Sequence, residues 1–524
     1  MNNLPIIDLA IIIIYMLAML WIGLYFSKKN KNAEQFTTAV GKIPGWAIGV
    51  SIFATFLSSN TFLGVTGKAF GSNWNAFVFS LSMPLAAWAA SKYFVPFYRH
   101  AGGVSAYTHL EKRFGPWART YAVICFLLTQ VARMGSIFFG IALSLQALTG
   151  FSMSSIMLVM GVCIIIYTVM GGMEAIIWTD VVQGIILTLG ALLILFFVIK
   201  DMPGGVTAIT DIGTANHKFS LGSFSFDLTK SSFWMVLLYG FFINLNNFGM
   251  DQNYIQRYHT ATNEKGAAKS VWLCVYLYLP VSLLFFIIGA SLFAFYQVHP
   301  EMADVVKMQV AAERLGIGAS PEQIINAAAQ LQPADYGDKV LPHFMVTKIP
   351  VGLVGLVVAA ILSAAMSTIS SGMNASATVF SIDIYKKYFN KKELSDKKYL
   401  RLLYISTAVF GSVGLIAGIA MIGSKSILDV WWELSGIFAG GMLGLFLLGL
   451  ISKKTKNAEA LTATIIGVVI ILWMTFSDSV GSEYDFLKNI LHKNMIIVVG
   501  TLAIFLFGLL LTKLKTRKVV GTEG

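Results

Sequence analysis

Thirteen stretches of roughly twenty or more apolar residues follow one another along this chain, divided by shorter polar connections. They run at about 4–26, 45–70, 74–97, 117–149, 153–172, 175–199, 231–253, 268–297, 349–380, 400–423, 427–451, 458–476 and 494–512. A helix of about 20 residues crosses the roughly 30 Å hydrocarbon core of a bilayer. Inside that core every backbone polar group must be bonded within the protein, which leaves helices as the fitting structure for such runs. Composition agrees: 56% of the 524 residues are hydrophobic and 12% are charged, against about 25% charged in soluble domains. The expected fold is therefore an all-α polytopic membrane protein with about 13 transmembrane helices.

The first run, Pro5 to Phe26, has no basic leader and is expected to remain as a helix rather than be cleaved. The longest connection, 298–348, carries Glu301, Asp304, Glu313, Glu322, Asp335 and Asp338. Short helices are expected there over 308–316 and 321–331, with Pro321 in a first turn. Cys125, Cys163 and Cys274 all fall inside apolar runs, so no disulfide framework is expected.

A net charge of +12 raises the question of nucleic acid, but its placement answers against it. With the N-terminus outside and one crossing per run, the inner connections hold 26 of the 38 Lys and Arg residues, the outer side 11, and Arg133 lies within a span. That asymmetry is the positive-inside pattern, and it places the C-terminus in the cytoplasm. Runs two to six and seven to eleven then form two sets of five of opposite orientation. An odd-numbered unit repeated in tandem comes out inverted, a recurring plan among secondary transporters. The expected divisions are an extra helix at 4–26, a first repeat at 45–199, a second at 231–451, two C-terminal helices within 458–512 and a cytoplasmic tail at 513–524.

Polar groups inside spans are costly and point to function. The second run carries Ser58, Ser59, Asn60 and Thr61, followed by Gly64 and Gly67. Such side chains compete for backbone hydrogen bonds, so this run is expected either to break, exposing carbonyls and N–H groups at mid-membrane, or to bond back within an intact helix. The seventh run carries Asn244, Asn246, Asn247 and Gly249 and ends in Asp251, Gln252 and Asn253. Those amides serve either a binding site or contacts between helices. In the ninth run Ala360, Ser363, Ala364, Ser367, Thr368, Ser371 and Ala375 share a face by their spacing of three and four, with Ser370 at its border. A face of small hydroxyls permits close packing, or it supplies neutral oxygens to a hard cation. Arg133 and Asp180 are buried charges. The arginine pairs with an acid of another helix, Asp180 among them, or receives an anionic cargo.

These residues carry a family resemblance. The stretches Ala54-Thr55-Phe56-Leu57-Ser58-Ser59-Asn60-Thr61-Phe62, Tyr167-Thr168-Val169-Met170-Gly171-Gly172, Trp178-Thr179-Asp180-Val181-Val182-Gln183-Gly184, Gln256-Arg257-Tyr258 and Ala364-Ala365-Met366-Ser367-Thr368-Ile369-Ser370-Ser371 resemble the sodium–solute symporter family, most of all its bacterial sialic acid branch. The resemblance implies a leucine-transporter-like five-plus-five inverted repeat with one extra N-terminal helix. It implies a first sodium held by carbonyls of Ala54, Leu57 and Ala364 with hydroxyls of Ser367 and Thr368, and a second held by Asp180, Ser367, Ser370 and Ser371. For cargo it implies Ser58, Ser59 and Thr61, Arg133 on a carboxylate and Phe242 as an aromatic wall, with Ser80 and Asn247 beside them. Phe56 and Ser80 depart from the branch's pattern, which has a threonine and a glutamine there, and both would remodel contacts to a sugar.

The function so implied is import of sialic acid with two sodium ions by alternating access, across a bacterial-type plasma membrane and with no protein partner required. Other organic anions, neutral sugars and proline-like solutes are the alternatives; Arg133 favours an anion. A proton-coupled carrier using Asp180 is a further alternative. A membrane sensor is disfavoured by the short tail. An enzyme is disfavoured because no nucleophile–base pair, metal cluster or phosphate loop occurs at credible spacing.

Overall fold

The computed structural model describes residues 4–28, 32–316, 318–390, 395–423, 427–477, 486 and 488–520; the end of the expected tail, 521–524, lies outside them. The described residues are helical throughout, apart from connections and one isolated bridge between Ile43 and Ala261. We label the helices that build the site: α1 (Ile6–Ser27), α2 (Gly45–Phe56), α3 (Thr61–Gly71), α4 (Pro116–Thr149), α5 (Met153–Asp201), α6 (Phe233–Met250), α7 (Gln252–Thr260), α8 (Glu264–Val298) and α9 (Leu353–Val379). Helices Asp396–Ala420, Ile427–Ile451, Asn457–Phe476 and Met495–Val520 follow.

Among the described residues, ten helices are long and apolar enough to cross a membrane, or eleven if α2 and α3 count as one broken span. The shortfall from thirteen arises in two places. Trp74 to Ala101 keeps right-handed helical backbone at each junction but alternates between 3-10, α and π turns, so no single α-helical piece of it reaches spanning length. The expected runs 153–172 and 175–199 form the single 49-residue element α5, interrupted at Gly172 (φ 63°, ψ −169°). Only glycine takes that conformation at little cost.

Burial separates inner from outer helices. Every residue from Val357 to Val379 of α9 is buried, as expected of an apolar helix ringed by others. By contrast α1 exposes Ile6, Ile13, Ile14, Leu17, Trp21 and Leu24. Bulk apolar exposure of this extent suits lipid, not water. Small residues let inner helices approach: a methyl group added at Gly190 of α5 would collide with the Ala360 Cβ of α9.

The outer helix α1 nevertheless anchors the inner one. Asp8, wholly buried, accepts the backbone N–H groups of Gly352 (2.8 Å) and Gly355 (2.6 Å) at the start of α9. These N–H groups have no partner within their own helix. One turn and more along, the Ser363 hydroxyl stands 2.9 Å from that of Tyr15.

Candidate functional site

The polar run of the second span does interrupt its helix. α2 stops at Phe56, Leu57 is extended (φ −92°, ψ 127°), and α3 departs at 60° to α2. Side chains take over the local hydrogen bonding. The Ser58 N–H donates to the Thr61 hydroxyl (3.2 Å) and the Asn60 N–H to the Ser58 hydroxyl (3.3 Å). Two members of the run turn away to α4: Ser59 donates to the Ile137 carbonyl (2.9 Å) and Asn60 to the Ser136 hydroxyl (2.9 Å). A second interruption separates α6 from α7 at Asp251 (φ −77°, ψ 117°), whose carboxylate accepts the Asn253 N–H at 2.8 Å and so caps α7.

The interrupted helices border a cavity. Its polar lining is Ser58, Asn60, Thr61, Ser80, Arg133 and Asn247. Its aromatic lining is Phe56, Phe79, Tyr239, Tyr278, Phe286 and Trp432. Of the expected cargo residues, Ser58, Thr61, Ser80, Arg133 and Asn247 meet here. Ser59 and Phe242 are not in this lining: Ser59 bonds α4, and Phe242 is half-buried with its ring edge-on to Phe241. α6 instead turns Tyr239, Ile243 and Asn247 to the cavity, at helical spacing of four. The Ser80 hydroxyl is 2.7 Å from that of Ser282 on α8. Phe56 stacks on Tyr254 at 4.6 Å between ring centres.

The hydroxyl face of α9 meets the break in α2–α3. The Thr368 hydroxyl oxygen lies 3.2 Å from each of the carbonyl oxygens of Thr55, Leu57 and Ala364. Leu57, Ala364 and Thr368 of the expected first sodium set therefore adjoin one another. Ala54 is buried with its methyl toward Gly184 of α5. Ser367 turns the other way and donates to Asp180 at 2.6 Å.

Asp180 is wholly buried and has further partners. One carboxylate oxygen accepts from Ser51 (2.5 Å) and from the guanidinium of Arg257 (2.8 Å). Arg257 is itself fully buried and donates also to the Ser51 hydroxyl (2.8 Å), the Asn253 carbonyl (2.7 Å), the Thr55 hydroxyl (2.9 Å) and the Ser371 hydroxyl (2.7 Å). Of the second sodium set, Asp180 and Ser371 thus accept from Arg257, and Ser367 bonds Asp180. The Ser370 hydroxyl bonds back to the Ser367 carbonyl at 3.2 Å.

The Arg133–Asp180 ion pair, open on sequence grounds, is not the one formed. Arg133 lies 3.6 Å from Asp251 and donates to the Thr55 carbonyl at 2.8 Å, while Asp180 is held by Arg257. Asp251 precedes α7 and Arg257 lies on it, so one short stretch serves both charges. Sequence reasoning gave neither residue a role. Arg257 stood only within a matching motif, and Asp251 only at a span's end.

Comparison with known proteins follows the same lines. The family model described as the sodium:solute symporter family matches residues 36–467. The chain is 31% identical to the sodium/sialic acid symporter NanT of Aliivibrio fischeri, over 94% of this chain and 92% of that one. It is 31% identical to the sodium/sialic acid symporter SiaT of Proteus mirabilis, over 96% and 95%. Among solved structures it is similar to the substrate-bound outward-open state of a Na+-coupled sialic acid symporter, with TM-score 0.83, 29% identity and coverage of 97% and 98%.

Proposed function

Because the chain belongs to the sodium:solute symporter family, we propose that it is a sodium-coupled importer of sialic acid that carries this anion through the cavity between α2–α3 and α6–α7. The observation that carries this reading is Arg133. Its planar fork opens on a cavity of hydroxyls and aromatic rings, and the Thr55 carbonyl that it bonds also adjoins the Thr368 hydroxyl. The fork suits the acid's carboxylate. Ser58, Thr61, Ser80 and Asn247 suit its hydroxyl and acyl groups, and Tyr239 takes the aromatic role expected of Phe242.

We assign the first sodium to the carbonyls of Ala54, Leu57 and Ala364 with the hydroxyls of Ser367 and Thr368, and the second to Asp180, Ser367, Ser370 and Ser371. Sodium is a hard cation that oxygen donors satisfy, and its binding would draw α9 against the break in α2–α3. The two sets of five spans then rock about the cavity, as an inverted repeat permits. Thirteen crossings follow if α5 crosses twice. An unbroken helix of 49 residues would reach about 74 Å, more than twice the hydrocarbon core, and the pieces of 74–101 supply another crossing. With the basic connections inside, the N-terminus is outside and the C-terminus cytoplasmic.

Two sodium ions with one monoanion move a single net positive charge, worth about 2.3 kcal/mol per 100 mV. Uptake of N-acetylneuraminate into proteoliposomes is therefore expected to need sodium and to rise with an inside-negative potential. Equal uptake with choline in place of sodium would sink the reading. The six aromatic rings of the cavity favour one second reading, an organic anion with an apolar body; such acids would then outcompete N-acetylneuraminate for uptake.

A further inference from the structure

Each buried charge that the proposed ligands would meet already has a partner, and both partners come from one stretch of ten residues. Asp251, in the interruption before α7, places a carboxylate beside Arg133, at 3.6 Å. Arg257, on α7, places a cation on Asp180, at 2.8 Å. On the transport reading above, Arg133 is where the cargo's carboxylate binds and Asp180 is where a sodium binds. We propose that the stretch Asp251–Thr260 is an internal stand-in for cargo and ion: Asp251 takes the place of the cargo's carboxylate, Arg257 takes that of a sodium, and both withdraw when the ligands arrive.

The contacts support such an exchange. Arg257 donates to Ser371 as well as Asp180, and these are two of the four residues of the proposed second sodium site. A sodium ion there needs the oxygens that the guanidinium now holds. Asp251 stands 3.6 Å from the Arg133 guanidinium, which donates to the Thr55 carbonyl at 2.8 Å and to the Tyr254 hydroxyl at 3.3 Å. Its remaining bonds go to its own stretch and to Gln130. An incoming carboxylate at Arg133 competes with this 3.6 Å ion pair. The extended backbone at Asp251 joins α6 to α7 without continuing either helix, and a non-helical joint of this kind is where a short helix swings.

Charge then explains obligatory coupling. In this structure Arg133 offsets Asp251, and Asp180 offsets Arg257. Sodium at Asp180 alone would release Arg257 as a buried cation with no counter-charge; an anion at Arg133 alone would do the same to Asp251. Uncompensated buried charge is strongly disfavoured. When both bind, one acid and one base are released together from the same short stretch, and their charges cancel. Counted together with their ligands, these four groups are neutral with neither ligand or with both, and carry one net charge with only one.

This inference rests on the transport reading, and the experiment separates the two. The full-length protein in nanodiscs is titrated with N-acetylneuraminate in sodium and in choline. Sodium-dependent binding by the unaltered protein is the premise; its absence overturns the transport reading. Given the premise, Asp251→Asn is expected to bind N-acetylneuraminate in choline at least tenfold more tightly than the unaltered protein does. Arg257→Gln is expected to need at least tenfold less sodium for half-maximal binding. Unchanged or weaker binding in either variant overturns the stand-in and leaves the transport reading intact. Should a variant not fold, hydrogen exchange on the unaltered protein decides. Amides of 252–260 are expected to exchange faster with sodium and N-acetylneuraminate together than with neither; equal or slower exchange overturns the proposal.

Discussion

Replacing Thr368 with valine keeps the shape of the side chain and removes one oxygen from the proposed first sodium site. That oxygen lies 3.2 Å from the carbonyls of Thr55, Leu57 and Ala364, so a cation seated among them would touch it directly. A hydroxyl contact to a charged group contributes about 1.5–3 kcal/mol. Its loss raises the half-saturating sodium concentration roughly 10- to 150-fold. The same number appears in thermal stability. At a sodium concentration 100 times the dissociation constant, binding stabilises a protein by about 2.7 kcal/mol, and a 100-fold weaker site leaves only about 0.4 kcal/mol of that. The assay is therefore the melting temperature of the valine variant with sodium and with choline, alongside the sodium dependence of uptake. Thr368→Ser, which keeps the oxygen, is expected to retain most of the sodium response. Valine and wild-type proteins with the same sodium dependence would refute the assignment of Thr368.

Arg133→Gln removes the fork and leaves Asp251 without its cation, so N-acetylneuraminate binding is expected to weaken by about 2–5 kcal/mol, while sodium still raises the melting temperature; calorimetry that finds wild-type affinity would sink the carboxylate role. Asp8→Leu deprives the N–H groups of Gly352 and Gly355 of their acceptor and is expected to cost about 1–2 kcal/mol of stability, read as a lower melting temperature in detergent. Gly190→Val drives a methyl group into Ala360 and is expected to cost about 1–3 kcal/mol by overpacking; a variant as stable as the parent would contradict the close approach of α5 to α9.

Much of the architecture was legible because its signals are long and redundant. Apolar runs and the sidedness of Lys and Arg identify a helical membrane protein without reference to any single residue. The break at Leu57–Ser58 was legible because four hydrogen-bonding side chains in succession disturb a helix by a local mechanism. The face of α9 was legible because its small and hydroxylated residues keep the helical period. Hydropathy could not see that Trp74–Ala101 alternates between 3-10, α and π turns, since such a span is as apolar as a uniform α-helix. The register of α6 was equally hidden: apolar residues surround that helix, so no period distinguishes Phe242 from Tyr239. Arg257 was obscured for a different reason. It lies next to a basic connection and was counted with the surface charges, whereas α7 folds inward and buries it completely. Only tertiary structure reveals that its counter-charge, Asp180, is 77 residues away in the chain.

The Thr55 carbonyl accepts from Arg133 and stands beside the Thr368 hydroxyl. It belongs to the main chain, so no amino-acid replacement at position 55 deletes it. The walls of the cavity are side chains and are open to change one at a time. On the proposed reading, a lineage built on this plan is free to drift from one acid to another by altering residues such as Phe56 or Ser80, while the atom that joins the proposed receptor of the acid to the proposed helix of the ion passes unaltered from each descendant to the next.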